Sequence, residues 1–339
     1  MKRPIDVTLC GYYGFGNLGD ELLAEGLVSL LEKNGVSRDR IAIMKAPGAG
    51  ERSPHGVAAV DRWSPDKVFS ALRNSRTLLL GGGGLFQDSS SIRSCIYYWG
   101  VTKMARAAGC VPWAFGQSIG PFRRTLAAAF AHNALASCAA RAVRDEGSME
   151  WLARWGLDGE MSPDPVMALS GLLDKGNSEG EDLLVNVRPW PGSMTAEAAK
   201  AADVLAGEMG IPLLAVALSE DDVKVMKELR GGGFFRPREI TLVRSIDDAK
   251  SVWGSGRLAV GMRLHFCVIS VLANTPCVAI PYDPKVSWFG EEWGLPLWDG
   301  DGPLPCPETG KGHREQVAKA SKVLEGSFGR ILGQVLTEV

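Results

Sequence analysis

Short apolar runs with strand character alternate with helix-type periodicity from one end of this 339-residue chain to the other. In the first half, the predicted strands cover residues 7–10, 41–44, 77–80, 111–115 and 139–143. Helical spacing of apolar residues lies between them, at 21–33, 96–108 and 125–135. Strands that alternate with helices in this way predict a parallel sheet covered by helices on both faces.

A polar, glycine-rich segment at residues 171–180 interrupts the alternation, which then restarts, and we interpret this segment as an interdomain linker. The predicted strands of the second half cover residues 183–187, 211–217, 240–243, 257–260 and 277–280, and a long amphipathic helix covers 315–336. The chain length also suits two domains. We therefore predict Rossmann-like domains at 1–172 and 181–311, followed by a C-terminal helical segment at 312–339 that can pack back on the first domain.

The net charge and the cysteine pattern exclude several classes of protein. A net charge of -2 provides no general basic field for nucleic acid, so any anion site has to be local. The seven cysteines are odd in number and show no CxxC spacing, which indicates reduced core cysteines rather than a disulfide framework or a zinc site. No sequence pattern requires a metal or a bound cofactor.

The apolar runs are also short. None of them reaches the length of a membrane span, and the first residues have the character of a strand rather than of a signal peptide. We therefore predict a soluble, cytoplasmic protein, which can still work on a substrate held at the cytoplasmic face of a membrane.

Three glycine-rich or polar segments, at residues 11–21, 81–84 and 116–121, are predicted to follow strands of the first domain. The first two have two interpretations each. Either Asp20 and Glu21 cap the first helix, or Asn17 and Asp20 hydrogen-bond sugar hydroxyls. The four glycines at 81–84 permit either close approach of a ligand or a tight strand–helix crossing. The first segment contains G-x-G-x-x-G spacing at residues 14–19, but the acidic Asp20 and Glu21 that follow it would repel phosphate, which argues against a nicotinamide dinucleotide site.

Two cations and a histidine stand out in the last third of the chain. Arg263 and His265 interrupt a largely apolar segment, and Lys285 follows the next predicted strand. A lone histidine on an apolar helix is usually structural, but charged groups in apolar surroundings need partners, either internal carboxylates or a bound anion. Flanking cations lower the pKa of a histidine and a bound dianion raises it again, which suits an acid that becomes charged when substrate arrives.

Arg144 follows the last predicted strand of the first domain. The residues around it allow a salt bridge to Asp145 or Glu146, or the binding of an anion, and Asp145 is a suitable cap for the next helix. These alternatives stay open on the residues alone.

Seven motifs occur in one order along the chain, at residues 11–21, 81–85, 116–121, 143–148, 162–165, 262–265 and 283–285. Together they resemble the polysaccharide pyruvyl transferase family, most closely its bacterial CsaB type, over nearly the whole chain. The resemblance implies an α/β glycosyltransferase-B-like architecture of two Rossmann-like, doubly wound domains with an interdomain cleft. It also implies transfer of pyruvate from phosphoenolpyruvate to a sugar as a cyclic ketal. The implied acceptor is N-acetylmannosamine of a lipid-linked secondary cell-wall polymer precursor, and the pyruvylated polymer anchors surface-layer proteins.

The resemblance also implies roles for single residues. His265 is similar to the catalytic histidine of the family, and Arg144, Arg263 and Lys285 are similar to its phosphoenolpyruvate-binding cations. The implied acceptor or loop contacts are Gly14, Asn17, Asp20, Gly82, Gly83 and Gln117. Phosphoenolpyruvate is then a co-substrate, the acceptor is a lipid-linked sugar at the inner membrane face, and neither a metal nor a bound cofactor takes part.

Two other functions are compatible with the same residues. A nucleotide-sugar-dependent glycosyltransferase on this fold would need an acidic residue to grip a ribose in the second domain, and Asp283 is the nearby candidate. In a binding or scaffolding protein, the glycines would be structural and His265 would belong to the core.

Overall fold

Two parallel β-sheets, one of seven strands and one of five, form the framework of the part of the chain that the structure describes. The structure is a computed structural model and describes residues 3–46, 55–89, 91–174, 180–306 and 312–337. The chain divides into two units, each built on one of the sheets. Unit 1 consists of Met1–Phe15, Asp20–Leu169 and Ala320–Val339, and unit 2 consists of Gly16–Gly19 and Ser170–Lys319.

Unit 1 contains the seven-stranded sheet. Its strands are β1 (Ile5–Cys10), β2 (Ile41–Lys45), β3 (Ala58–Asp61), β4 (Ser75–Phe86), β5 (Val111–Ile119), β6 (Arg141–Val143) and β7 (Glu160–Met161). Its helices are α1 (Leu18–Lys33, whose first two residues belong to unit 2), α2 (Pro65–Arg73), α3 (Arg93–Ala107), α4 (Thr125–Ala136) and α5 (Glu146–Arg154), with short 3-10 helices at Arg38–Arg40 and Pro165–Leu169. The strands lie in the order β3-β2-β1-β4-β5-β6-β7. The chain therefore builds the sheet outward from β1 to one edge and then from β4 to the other, as in a doubly wound sheet.

Unit 2 contains the five-stranded sheet. Its strands are β8 (Asp182–Asn186), β9 (Leu213–Ala217), β10 (Glu239–Leu242), β11 (Gly256–Gly261) and β12 (Cys277–Ala279). Its helices are α6 (Ser170–Leu173), α7 (Met194–Met209), α8 (Glu220–Gly231), α9 (Ile246–Gly254), α10 (Leu264–Leu272) and α11 (Pro284–Trp293), and α12 (Arg314–Thr337) begins in unit 2. The order β10-β9-β8-β11-β12 reverses between β8 and β11.

Burial and capping explain why these segments form strands and helices. Every residue of β2, β8 and β9 is buried, as expected for parallel strands that helices cover on both faces. Ser219, Ser245 and Asp283 each accept a hydrogen bond from a backbone N–H of the helix that follows, and so satisfy donors that the first helical turn leaves without partners. β9, β10 and β12 are therefore each followed by a capped helix, and polar side chains collect at these three turns.

All ten predicted strands are present, although the sequence pattern did not identify β3, β7 or α2. The prediction that residues 81–84 and 116–119 form loops after strands is wrong. The four glycines continue β4, where Gly83 pairs with Gln117 of β5. A side chain at Gly81 would place its Cβ 2.5 Å from Leu27 of α1. The glycines therefore permit a tight strand–helix crossing, which was one of their two interpretations.

Three further sequence predictions concern the cysteines, the membrane and the linker. Six of the seven cysteines are buried and form no disulfide, and Cys306 is exposed. Among the described residues, no helix combines the length and the apolar character that crossing a bilayer requires. Residues 175–179 of the predicted linker lie outside the described residues.

Candidate active site

Asn186, the last residue of β8, ties together three strand ends of unit 2. Its side-chain oxygen accepts a hydrogen bond from the backbone N–H of Arg263 at 3.0 Å, and its side-chain nitrogen donates to the Val216 carbonyl in β9 at 2.8 Å. Its carbonyl accepts from the N–H of Met262 at 3.0 Å. Because these bonds join β8 to β9 and to the turn after β11, they fix the point at which α10 begins.

His265 lies on the first turn of α10, directly after that turn. Almost the whole of the helix is buried, whereas His265 is only half-buried. The α-carbon of Gly19 packs against the imidazole so closely that a Cβ at residue 19 would lie 2.2 Å from Nδ1. Leu18 donates its backbone N–H to the Leu218 carbonyl, after β9, at 3.0 Å. The segment 16–19 therefore lies beside the histidine within unit 2.

Arg263 lies two residues beyond β11 and forms a bidentate ion pair with a buried carboxylate. Its Nε and Nη2 lie 2.6 Å from the two carboxylate oxygens of Asp222, and Nη2 also donates to the hydroxyl of Ser219 at 2.8 Å. Asp222 in turn accepts from the N–H of Leu218 at 3.0 Å. The guanidinium is thus held in one orientation, because a fork of this kind matches the planar geometry of a carboxylate.

Lys285 is the second residue of α11, two positions after Asp283, which caps that helix. Asp283 accepts a hydrogen bond from the backbone N–H of Lys285 at 3.2 Å, and its carboxylate lies 3.5 Å from Nζ. The side chain of Lys285 is 32% exposed. An exposed pair at this distance is weak, so the ammonium can turn toward a stronger anion at little cost.

Arg188 is a cation at the same sheet edge that sequence reasoning missed. It lies two residues after β8, and its Nη1 donates to the hydroxyl of Tyr282, which follows β12, at 2.7 Å. Its guanidinium also lies over the rings of Tyr282 and Trp190, at 4.9 and 5.8 Å from their centroids. Within the described part of the chain it forms no ion pair, and its buried Nε has no hydrogen-bond partner. The sequence does contain a signal for this residue, because Arg188, like Arg263, lies two residues beyond a buried strand.

The carboxyl ends of β8, β11 and β12 thus bring Arg188, Arg263, His265 and Lys285 to one edge of the five-stranded sheet. β11 lies between β8 and β12, so the hydrogen bond between Arg188 and Tyr282 joins the two strand ends that flank the turn before His265. This edge at the strand reversal is where open α/β sheets bind ligands. Cations and an imidazole there suit an anionic substrate that needs a proton.

Arg144 belongs to unit 1, whereas the other predicted donor-binding residues belong to unit 2. Its Nη1 lies 2.6 Å from Asp164, a partner that the sequence did not suggest, and its Nε donates to the hydroxyl of Ser118 at 2.8 Å. The side chains of Arg144 and Asp164 are only 6% and 7% exposed. Asp145 caps α5, as one of the sequence alternatives anticipated, and accepts from Ser118 and Ser148.

The predicted acceptor contacts lie in both units. Gln117 is fully buried in β5 and donates to the Leu80 carbonyl at 2.9 Å, and Gly82 and Gly83 lie in β4 against Leu23. These residues have a clear role in packing.

The remaining predicted acceptor contacts belong to the loop after β1 and the start of α1. Gly14 is exposed and donates its N–H to Glu21 at 2.6 Å. Asn17, in unit 2, accepts from the N–H of Gly19 at 3.3 Å. Asp20 lies near Gly83, since a Cβ at residue 83 would be 3.4 Å from its carboxylate.

Solved structures of low sequence identity share the fold of this chain. UDP-GlcNAc 2-epimerase from Methanocaldococcus jannaschii has a TM-score of 0.59 at 10% identity, over 99% of this chain and 100% of that chain. UDP-N-acetylglucosamine 2-epimerase from Rickettsia bellii has a TM-score of 0.57 at 12% identity, over 98% and 95% of the two chains. A glycosyltransferase from Rickettsia africae ESF-5 has a TM-score of 0.54 at 8% identity, over 98% and 96%. The predicted glycosyltransferase-B-like fold is therefore confirmed.

Function is better addressed by sequence comparison, because such low identities establish the fold alone. No curated protein matches the chain at a significant level. A sequence model of the polysaccharide pyruvyl transferase family, however, matches residues 17–284. The match includes both sheets except β1, and it includes the turn that carries His265. The chain therefore belongs to the polysaccharide pyruvyl transferase family, whose enzymes transfer pyruvate to polysaccharides.

Proposed function

We propose that this enzyme takes pyruvate from phosphoenolpyruvate and attaches it to a sugar as a cyclic ketal, with release of phosphate. The observation that carries the proposal is the gathering of Arg188, Arg263, Lys285 and His265 at one edge of the sheet in unit 2. Phosphoenolpyruvate carries a carboxylate and a phosphate, so its site needs several cations. Its enol ether also needs a proton, which an imidazole can supply.

The reaction has a definite requirement for protons. A proton is added to C3 of the enol ether, and C2 becomes a centre of oxocarbenium character. One sugar hydroxyl forms a bond to C2, the bond from C2 to the phosphate oxygen breaks, and a second hydroxyl closes the ring. One of the two hydroxyl protons replaces the proton that was given to C3, and the other leaves with phosphate. The protein must therefore supply an acid that can reach C3.

In this proposal His265 is that acid, and the cations divide the binding of the donor. Arg188 offers a guanidinium that no carboxylate in the described part of the chain neutralises. Arg263 is held by Asp222 and Ser219 in a fixed direction, and Lys285 acts as a point charge that can leave its weak pair. Arg144 keeps its predicted role as a donor-binding cation, in addition to its buried pair with Asp164.

We further propose that the acceptor is N-acetylmannosamine in a lipid-linked precursor of a secondary cell-wall polymer, as the resemblance to the CsaB type implies. An acceptor of this kind would place the reaction at the cytoplasmic face of the membrane. The resulting pyruvate ketal adds a carboxylate to a neutral sugar. The modified polymer would then anchor surface-layer proteins.

The proposal is tested by incubating the enzyme with phosphoenolpyruvate and a panel of N-acetylmannosamine-containing disaccharides. We expect stoichiometric phosphate release and a product whose mass has increased by that of pyruvate less water. His265→Gln should lower turnover by about 10²–10⁴, the usual contribution of general acid catalysis. Its melting temperature should stay within a few degrees of the parent, because His265 is only half-buried.

Two results would contradict the proposal. Calorimetric binding of nucleotide sugars without binding of phosphoenolpyruvate would favour a glycosyltransferase. A loss of stability in His265→Gln as large as its loss of activity would favour a histidine that serves packing.

A further inference from the structure

Unit 1 carries a cluster of aromatic rings that none of the proposed roles uses. Tyr12 and Phe15 stack with centroids 4.1 Å apart, and Trp63 meets Phe15 at 6.4 Å with the ring planes at 73°. These three side chains are 46%, 37% and 57% exposed, and we call them the aromatic platform. Large aromatic side chains normally bury most of their surface, so three exposed rings in contact need an explanation.

A single buried arginine holds the platform in place. The guanidinium carbon of Arg62 lies 5.1 Å from the ring centroid of Phe15, 5.2 Å from that of Trp63 and 4.4 Å from that of Tyr97. Its Nη1 donates to the carbonyl of Gly11 at 2.7 Å. Within the described residues it forms no ion pair, so ring faces and neutral hydrogen-bond partners are what stabilise its charge. The rings are therefore held rigidly before any ligand arrives.

The platform occupies a ligand-binding position of the sheet in unit 1. Tyr12 and Phe15 follow β1, and Trp63 follows β3. Both strands run parallel to β2, which lies between them, so their carboxyl ends meet at one edge. Open α/β sheets bind their ligands at this edge.

The size of the platform selects among possible occupants. A stable protein interface buries at least about 1,000 Å² in total. An aromatic side chain contributes about 150–250 Å² when fully buried, so three partly exposed rings offer a ligand at most a few hundred Å² of surface to bury. That area matches one or two sugar rings. The C–H groups on one face of a pyranose carry slight positive charge, which suits the negative face of an aromatic ring, and its hydroxyls stay free for polar contacts.

We propose that the aromatic platform binds the acceptor saccharide by stacking of pyranose rings on Phe15 and Trp63, an inference that rests on the proposed pyruvyl transfer. The platform is a binding surface and takes no part in bond making. It recognises the shape and the C–H face of the sugar, whereas the cations of unit 2 recognise the charge of the donor.

Kinetics of platform variants provide the first test. Trp63→Ala and Phe15→Ala should each raise the KM for a soluble N-acetylmannosamine-containing disaccharide by about tenfold, and leave the KM for phosphoenolpyruvate within about twofold. Trp63→Phe keeps an aromatic ring and should therefore have an acceptor KM close to that of the parent. Phe69→Ala is the matched control, since Phe69 of unit 1 is as exposed as Phe15 but makes no ring contact with the platform. Unchanged acceptor KM values in an active enzyme would overturn the platform and leave the proposed function intact.

Direct binding separates this inference from the proposed function. Saturation-transfer NMR with the same disaccharide, without phosphoenolpyruvate, should show contact in the parent enzyme and in Phe69→Ala, and loss of contact in Trp63→Ala. That result supports the platform even if no pyruvyl transfer is found. Two results in Trp63→Ala would overturn it if saccharide binding is unchanged. Loss of binding to vesicles of anionic phospholipid would favour a membrane as the occupant of the platform, and a changed oligomeric state by light scattering would favour a second copy of the chain. Circular dichroism confirms that each variant is folded.

Discussion

The α-carbon of Gly19 lies against the imidazole of His265, leaving no room for a side chain at residue 19. The two residues are far apart in sequence but belong to the same unit. One wall beside the histidine is therefore backbone from the loop after β1. This contact explains the second glycine of the Gly-Asn-Leu-Gly segment without any requirement for a positive φ, and it links the glycine motif to the proposed acid.

We expect Gly19→Ala to lower turnover by at least about tenfold, because a Cβ placed 2.2 Å from Nδ1 forces the ring or the loop to move. The melting temperature should fall by only a few degrees, because the imidazole that the Cβ displaces is only half-buried. The measurement is steady-state kinetics beside thermal unfolding. Gly207→Ala is the control, since Gly207 lies in α7 with open space around it and should behave like the parent. Parent-like turnover in Gly19→Ala would show that the position of the ring is unimportant.

Removing Arg188, which forms no ion pair within the described residues, should weaken donor binding. Arg188→Ala is expected to raise the KM for phosphoenolpyruvate by about 10–100-fold, the loss of one charge-assisted hydrogen bond of about 1.5–3 kcal/mol. The KM of Arg188→Lys should lie between those of the parent and of Arg188→Ala, because lysine keeps the charge but lacks the forked geometry of the guanidinium. Arg257→Ala removes the same charge from the opposite end of β11 and should have no effect on donor KM. An equal effect at both positions would indicate general electrostatics rather than a site.

The buried pair between Arg144 and Asp164 should dominate the stability of its surroundings. Either Arg144→Ala or Asp164→Ala is expected to lower the free energy of unfolding by about 3–5 kcal/mol, since each leaves an uncompensated buried charge. Replacing both residues by apolar side chains of similar volume, as Arg144→Met with Asp164→Leu, should recover much of that loss. Urea unfolding measures the three free energies.

The same double variant tests whether Arg144 binds the donor. If Arg144 contacts phosphoenolpyruvate, the restored protein should still show a raised donor KM. A parent-like KM in a stable double variant would assign Arg144 to structure alone.

A histidine outside the proposed active site should make stability depend on pH. His55 lies 2.8 Å from Glu25 and 3.2 Å from Glu21. Burial alone would lower the pKa of His55, but the hydrogen bonds to the two carboxylates outweigh it and raise the pKa from 6.5 to about 9. Since the folded pKa is the higher one, the stabilisation is fully present below pH 6.5 and is lost as the pH rises toward 9.

The contribution of His55 is on the order of 3 kcal/mol at low pH. Urea unfolding between pH 6 and pH 9.5 should therefore show a decline that His55→Gln lacks. Because Glu21 also accepts the N–H of Gly14, the loop after β1 should become more mobile over the same range, which hydrogen exchange at Gly14 can report. A parallel decline in parent and variant would assign the pH dependence to other groups.

The predictions from sequence were most accurate where one physical signal acted alone. Buried parallel strands produce continuous apolar runs, so all ten predicted strands are present, whereas β3 and β7 are short and half-exposed and were missed. The four glycines at 81–84 illustrate the opposite case. A glycine run looks like a loop when only its neighbours are known, and its strand conformation follows from the approach of Leu23 and Leu27 on α1.

The sequence by itself determined the class of fold, the order of the motifs and the residue types that the proposed chemistry needs, because periodicity and composition are local properties of a chain. Only the tertiary structure decided which charges are neutralised. Arg263 meets Asp222 and Arg144 meets Asp164, while Arg188 meets a tyrosine hydroxyl. Electrostatic partnership depends on distances of a few ångströms between segments that are remote in sequence, and folding alone establishes those distances.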